Sequence, residues 1–131
     1  MRRNTILIIS ILAIMLLTGS LMAFTANISV DTNRDGYAYI EITNPDGTII
    51  YDRIPDAGIF FIDDNSNNTQ QSCYLYEQYA YVATVYAHRV VNGVTISDTD
   101  SQNFHYGIAT FTLTVDLSGN GSIPRDPPMQ D

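Results

Sequence analysis

The chain has 131 residues, with six arginines, no lysine and fourteen acids, giving a net charge of −8 at neutral pH. That balance excludes nucleic acid and anionic lipid surfaces as partners, because a strongly acidic protein repels both. A single cysteine, Cys73, excludes an internal disulfide and leaves either a buried thiol or a bond to another chain.

Arg2 and Arg3 precede an apolar run from Thr5 to Met22, interrupted only by Ser10 and Thr18–Gly19–Ser20, and small residues follow at Ala23 and Ala26. A basic start, a membrane-partitioning middle and a small-residue exit form the layout of a secretory signal. Residues 1–23 are therefore predicted to be an apolar signal helix, and the protein to be extracellular or on the cell surface. Left uncleaved, residues 5–24 are long enough to span a bilayer and would be the only contact with membrane. Cleavage leaves 108 of the 131 residues, one domain's worth, in which four arginines face all fourteen acids.

Period-two alternation dominates the remainder, which predicts strands. Phe24, Ala26, Ile28 and Val30 form one face of an N-terminal strand over residues 24–30. Tyr37 to Thr43 places Ala38, Ile40 and Ile42 opposite Tyr37, Tyr39 and Glu41, and the turn Asn44-Pro-Asp-Gly47 leads to a returning strand, Thr48 to Tyr51. Gly58 to Ile62 is a short apolar strand, and Asp63 to Ser72 reads as an exposed polar loop. Tyr74 to Val91 is the longest strand-like run, with Tyr79, Tyr81, Ala83, Val85 and Ala87 on one face. Asn92-Gly93 supplies the positive-φ pair of a tight hairpin, Val94 to Ser97 returns, and Asp98 to Asn103 reads as a second polar loop. Ala109 to Leu117 alternates cleanly again, with Ala109, Phe111, Leu113, Val115 and Leu117 inward. Six to eight strands with frequent turns predict an all-β antiparallel sandwich, jelly-roll or immunoglobulin-like, over residues 31–122. Residues 123–131 form a proline-rich polar tail of the composition that stays disordered.

Chemistry-bearing motifs are few. Asp31, Asn33 and Asp35 recur at every second position before Gly36, and with Tyr37 they resemble the first half of an EF-hand-type calcium loop. The twelfth position is Ile42, so completing acids would come from Asp63, Asp64, Asp98 or Asp100; the competing reading is a plain polar turn. Asn27, Asn67 and Asn120 open three glycosylation sequons. His88 and His105 lack metal-ligand spacing, and no nucleophile motif or phosphate-cradling loop occurs, so no catalytic residue and no enzyme activity is expected. Nine tyrosines, several of them on outward strand positions, suit contact with a carbohydrate or another subunit.

Gly19-Ser-Leu-Met-Ala-Phe24-Thr25 resembles the processing region of the TasA/camelysin biofilm-fibre proteins. In that family, and in related archaeal pili, the freed N-terminal segment inserts into a neighbour's sandwich. The resemblance implies a filament, pilus, sheath or surface-layer subunit that polymerises with itself, Phe24, Ala26, Ile28 and Val30 being the subunit-binding residues. Tyr81-Val-Ala-Thr-Val85-Tyr86-Ala87 is similar to the tyrosine-corner strand of fibronectin type III and immunoglobulin-like domains. That resemblance supports the alternative of a secreted or anchored adhesion module recognising a glycan or surface protein. No cofactor is expected under either reading, apart from calcium at the Asp31–Tyr37 loop.

Overall fold

In a computed structural model of the chain, the described residues are 22–64, 69–77 and 80–119. Among these residues eight strands follow one another: β1 (Ala23–Thr32), β2 (Gly36–Thr43), β3 (Ile49–Ile54), β4 (Phe60–Ile62), β5 (Thr69–Tyr76), β6 (Tyr81–Val91), β7 (Val94–Phe104) and β8 (Thr110–Val115). Among the described residues no helix is long and apolar enough to cross a membrane. The predicted signal or anchor segment (apart from Met22 to Phe24), Asn67, Asn120 and the 123–131 tail lie outside the described residues.

The strands form two sheets, a smaller one in the order β5-β1-β8 and a larger one in the order β3-β2-β6-β7, with β4 also paired to β2. One apolar core is shared between them. Ala26, Ile28 and Val30 of β1 and Leu113 and Val115 of β8 meet Ala38, Ile40 and Ile42 of β2 and Tyr81, Ala83 and Val85 of β6 there. Alternation decides which side chains enter, because successive residues of a strand point to opposite faces. Two turns carry the predicted chemistry. Gly47 has φ 92° and donates to the Asn44 carbonyl at 2.9 Å, while Asn92 and Gly93 both have positive φ in the hairpin between β6 and β7.

Several expectations are corrected. Asp98 to Asn103 is not a loop: β7 runs on through it, paired to β6 from Val91↔Val94 to Tyr81↔Phe104. The Asp63–Ser72 loop is cut short by Thr69 to Ser72, which belong to β5 and pair with β1. The single run from Tyr74 to Val91 divides into the end of β5 and the whole of β6. The sheets are not wholly antiparallel either, since β1 and β8 run parallel from Asn27↔Thr110 to Thr32↔Val115. The strand expected over Phe24–Val30 extends to Thr32 and is central in its sheet, hydrogen-bonded to β5 on one side and β8 on the other.

Side chains close both edges of the smaller sheet. On the β8 side, Asp100 Oδ2 accepts the Thr114 N–H at 2.9 Å and Asp98 Oδ2 accepts the Asp116 N–H at 2.8 Å. On the β5 side, the Tyr51 hydroxyl donates to the Tyr74 carbonyl at 2.6 Å, and the Tyr81 hydroxyl donates to the Tyr76 carbonyl. The chain beyond β8 is tethered as well: Asn33 Nδ2 donates to Asp116 Oδ1 at 2.6 Å, and Asn33 Oδ1 accepts the Leu117 N–H at 2.8 Å. Hydrogen bonds from Ser118 and then Asn33 hold the Asp116 carboxyl down at about 2. The tether's contribution is therefore present above the ordinary value of 3.8 and is lost as pH falls through about 2.

Candidate binding face

The outward positions of β2, β4 and β6 bring a set of rings together on the solvent side of the larger sheet. Antiparallel register sets Tyr37 opposite both Phe61 and His88, and Tyr39 opposite Tyr86. Tyr37 lies edge-to-face with Phe61 at 5.7 Å between centroids and 6.2 Å from His88. Tyr39 stacks on Tyr86 at 5.1 Å, and the Arg53 guanidinium lies 3.7 Å above the Tyr39 ring. Arg53 thus covers one face of the second pair, while Tyr37 and Phe61 remain 45% and 47% exposed. A groove of about 460 Å³ runs past them, lined by Asp35, Tyr37, Ile59, Phe61, His88 and Val90.

Close approach of β2 to β6 builds this groove, and Gly36 permits it. A Cβ at that position would stand 2.5 Å from the His88 carbonyl oxygen and 2.9 Å from Leu117 Cδ1. Arg89 borders the groove, but it donates to the Leu117 carbonyl at 2.5 Å and to the Gly119 carbonyl at 3.2 Å, which fixes the chain after β8.

Three carboxylates gather at the Asp35 end. One oxygen from each of Asp35, Asp63 and Asp64 lies within 4.8 Å of the others, and Asp35 Oδ1 also accepts the Asp64 N–H at 2.9 Å. The hydrogen bonds from Asp64 lower the Asp35 pKa, whereas the hydrogen bond with Asp35 raises that of Asp64. A raised carboxyl favours the folded state below its ordinary value and loses that contribution as pH rises through the folded one. Asp64→Asn is accordingly expected to raise the melting temperature more at neutral pH than near pH 4, as read by circular dichroism.

Asp31, Asn33, Asp35 and Tyr37, expected from the sequence to line a calcium loop, have different side-chain partners. Asn33 is drawn to Asp116 and Leu117, Tyr37 joins the rings, and Asp31 sits within β1 opposite Thr114. Only Asp35 of the four joins the carboxylate trio, with Asp63 and Asp64 as two of the completing acids named above. The trio offers hard oxygen donors suited to a divalent cation or to the donor groups of a ligand.

Other expected sites resolve one by one. Asn27 Oδ1 accepts the Ser72 hydroxyl at 2.8 Å in the middle of the smaller sheet. Ala26, Ile28 and Val30 are buried in the core, and Phe24 packs partly buried against it. Cys73 is buried, and desolvation pushes its thiol up to about 11, so it is protonated and unreactive at neutral pH. His105 accepts the Gly107 N–H at 3.0 Å in the turn before β8. Alternation already puts His88 on the outward Tyr86 side of β6, whereas Phe61 and Arg53 are members of the face that the sequence reading does not include. The doublet Phe60–Phe61 held the signal for one of them, because two adjacent strand residues cannot both enter one core.

No protein-family model matches the chain, and no curated protein or solved structure is significantly similar to it.

Proposed function

We propose that the protein is an exported, extracellular recognition module, an immunoglobulin-like β-sandwich that binds a glycan through the outer face of its larger sheet. One observation carries the reading: the outward positions of β2, β4 and β6 hold two groups of touching rings, Phe61–Tyr37–His88 and Tyr39–Tyr86, on one face. Folding does not require them there. The smaller sheet covers most of its own outer face with Thr25, Asn27, Ser29, Ser72 and Thr112, its outward rings being Tyr74 and Tyr76 on the edge strand β5. Contiguous half-exposed rings mark an interaction surface, and flat rings with polar tips suit the C–H faces and hydroxyls of sugars. The core shared by two sheets supports the sandwich reading. The hydrogen bond from Tyr81 to the carbonyl five residues upstream, as in a tyrosine corner, supports the immunoglobulin-like one. The test is retention of the protein on immobilised polysaccharides, compared with a Tyr37→Ala/Phe61→Ala variant.

The position of β1 favours a second reading, that of a self-assembling fibre subunit. Among the described residues it is the first strand, it connects to β2 through Asn33 to Asp35, and it fills the slot between β5 and β8. Such a strand can be exchanged for a neighbour's, completing the same sheet through main-chain bonds. Ala26 faces Cys73 across that slot, so Ala26→Cys creates a cross-strand pair. Under oxidising conditions a recognition module will give a disulfide-closed monomer on a non-reducing gel, whereas strand exchange will give a covalent ladder that collapses on reduction.

A further inference from the structure

Resting on the glycan reading of this face, we propose that the groove takes a sugar bearing a free, protonated amine. Its pyranose ring would lie against Tyr37 and Phe61, with the ammonium at the Asp35 end. The groove, at about 460 Å³, falls within the usual range of small-molecule clefts. Its middle is apolar and aromatic, with Tyr37, Ile59 and Phe61 each about half exposed. Such walls hold a ring by dispersion and exclude water from its C–H face.

Charge selects the amine. Asp35 lines the groove, and the carboxylates of Asp63 and Asp64 lie within 4.8 Å of its own. Arg34 offsets part of this charge, but one of its nitrogens is taken by the Asn33 carbonyl at 2.6 Å. The other arginine at the groove, Arg89, is engaged by the Leu117 and Gly119 carbonyls. An acidic sugar would therefore meet the Asp35 carboxylate with two more beside it, and a neutral one would leave their mutual repulsion as it stands. An ammonium relieves it and offers three N–H donors to a cluster made of acceptors. The net charge of −8 acts in the same sense at long range, drawing a polycationic chain and repelling a polyanionic one.

The experiment uses the full chain and three oligosaccharides of equal length: β-1,4-linked glucosamine, N-acetylglucosamine and glucose. Calorimetric titrations are run at about pH 6, where an amine of this kind is protonated and ordinary carboxylates are ionised. The glucosamine oligomer is expected to bind at least tenfold more tightly than the other two. Asp35→Asn, which keeps an oxygen for the Asp64 N–H, should erase that preference, and Tyr37→Ala should weaken all three, both variants melting cooperatively. Equal binding of all three oligomers would overturn the amine assignment and leave the glycan reading standing. Binding of the glucosamine oligomer that survives Tyr37→Ala but vanishes in salt would reduce the interaction to surface charge and overturn the proposal. So would no binding by any of the three, or a calcium response through Asp35 in place of an amine response.

Discussion

Gly36→Ala is expected to lower the melting temperature by about 4–24 °C. The added Cβ would sit 2.5 Å from the His88 carbonyl oxygen and 3.3 Å from its carbon, both backbone atoms. Neither can retreat, because Tyr37 next to the glycine is paired in register with His88. Leu117, at 2.9 Å, is fully buried and has no open side to swing into. Overpacking of this kind costs about 1–3 kcal/mol, and each kcal/mol moves the midpoint of a domain this small by roughly 4–8 °C. Gly58→Ala is the control, since its nearest neighbours would be 3.6 Å away and its φ is not positive. Thermal melts of the two variants should differ widely; equal melts would show that β2 and β6 are not held at this separation. The same change should damage binding, because it spreads the strands that carry Tyr37 and His88.

Asp98→Ala combined with Asp100→Ala is expected to make the protein self-associate more strongly than the parent as concentration rises. Both aspartates occupy inward-leaning positions of β7 and cap the Thr114 and Asp116 N–H groups. Those donors lie along the side of β8 that faces away from β1. Uncapped, they form a short strand edge ready to pair with another chain, and the loss of two charges removes the repulsion that keeps neighbours apart. Asp98→Asn/Asp100→Asn keeps oxygen acceptors while dropping the charge, so it should associate less than the alanine pair. Sedimentation velocity over a concentration series reads the difference. An alanine double variant that sediments like the parent at every concentration would mean the caps serve the fold alone.

The same two residues show why part of the architecture was hidden in the sequence. β7 alternates as faithfully as β6, but its inward positions are Ile96, Asp98, Asp100, Gln102 and Phe104. Carboxylates where a strand should carry apolar side chains read as a loop. Inward-pointing charge is how an edge strand is protected, and it erases the hydrophobic period in doing so. β5 suffered likewise, since Thr69 to Ser72 form an edge strand whose inward side chains turn apolar only at Cys73 and Leu75. Central strands such as β2 and β6, buried along one whole face, kept a clean period, and their registers follow from it.

The face was half legible for a related reason. Alternation alone placed Tyr37, Tyr39 and Tyr86 outward, because Ala38, Ile40 and Val85 had to be inside. That Phe61 and the carboxylates of Asp63 and Asp64 would join them depends on β4 pairing with the start of β2. Nothing local encodes that contact. The broken edge of β3 and β4, interrupted at Pro55 to Ile59, is set by tertiary packing against β2.

Affinity electrophoresis through gels carrying soluble polysaccharides puts the whole interpretation at risk in a single comparison. The native protein should be retarded by at least one neutral or amine-bearing polymer, and Tyr37→Ala/Phe61→Ala should migrate as in an empty gel while melting within a few degrees of the parent. Loss of the two rings is expected to weaken binding about tenfold or more. Free migration of the native protein in every gel, or retardation that the double variant retains, would contradict recognition through this sheet.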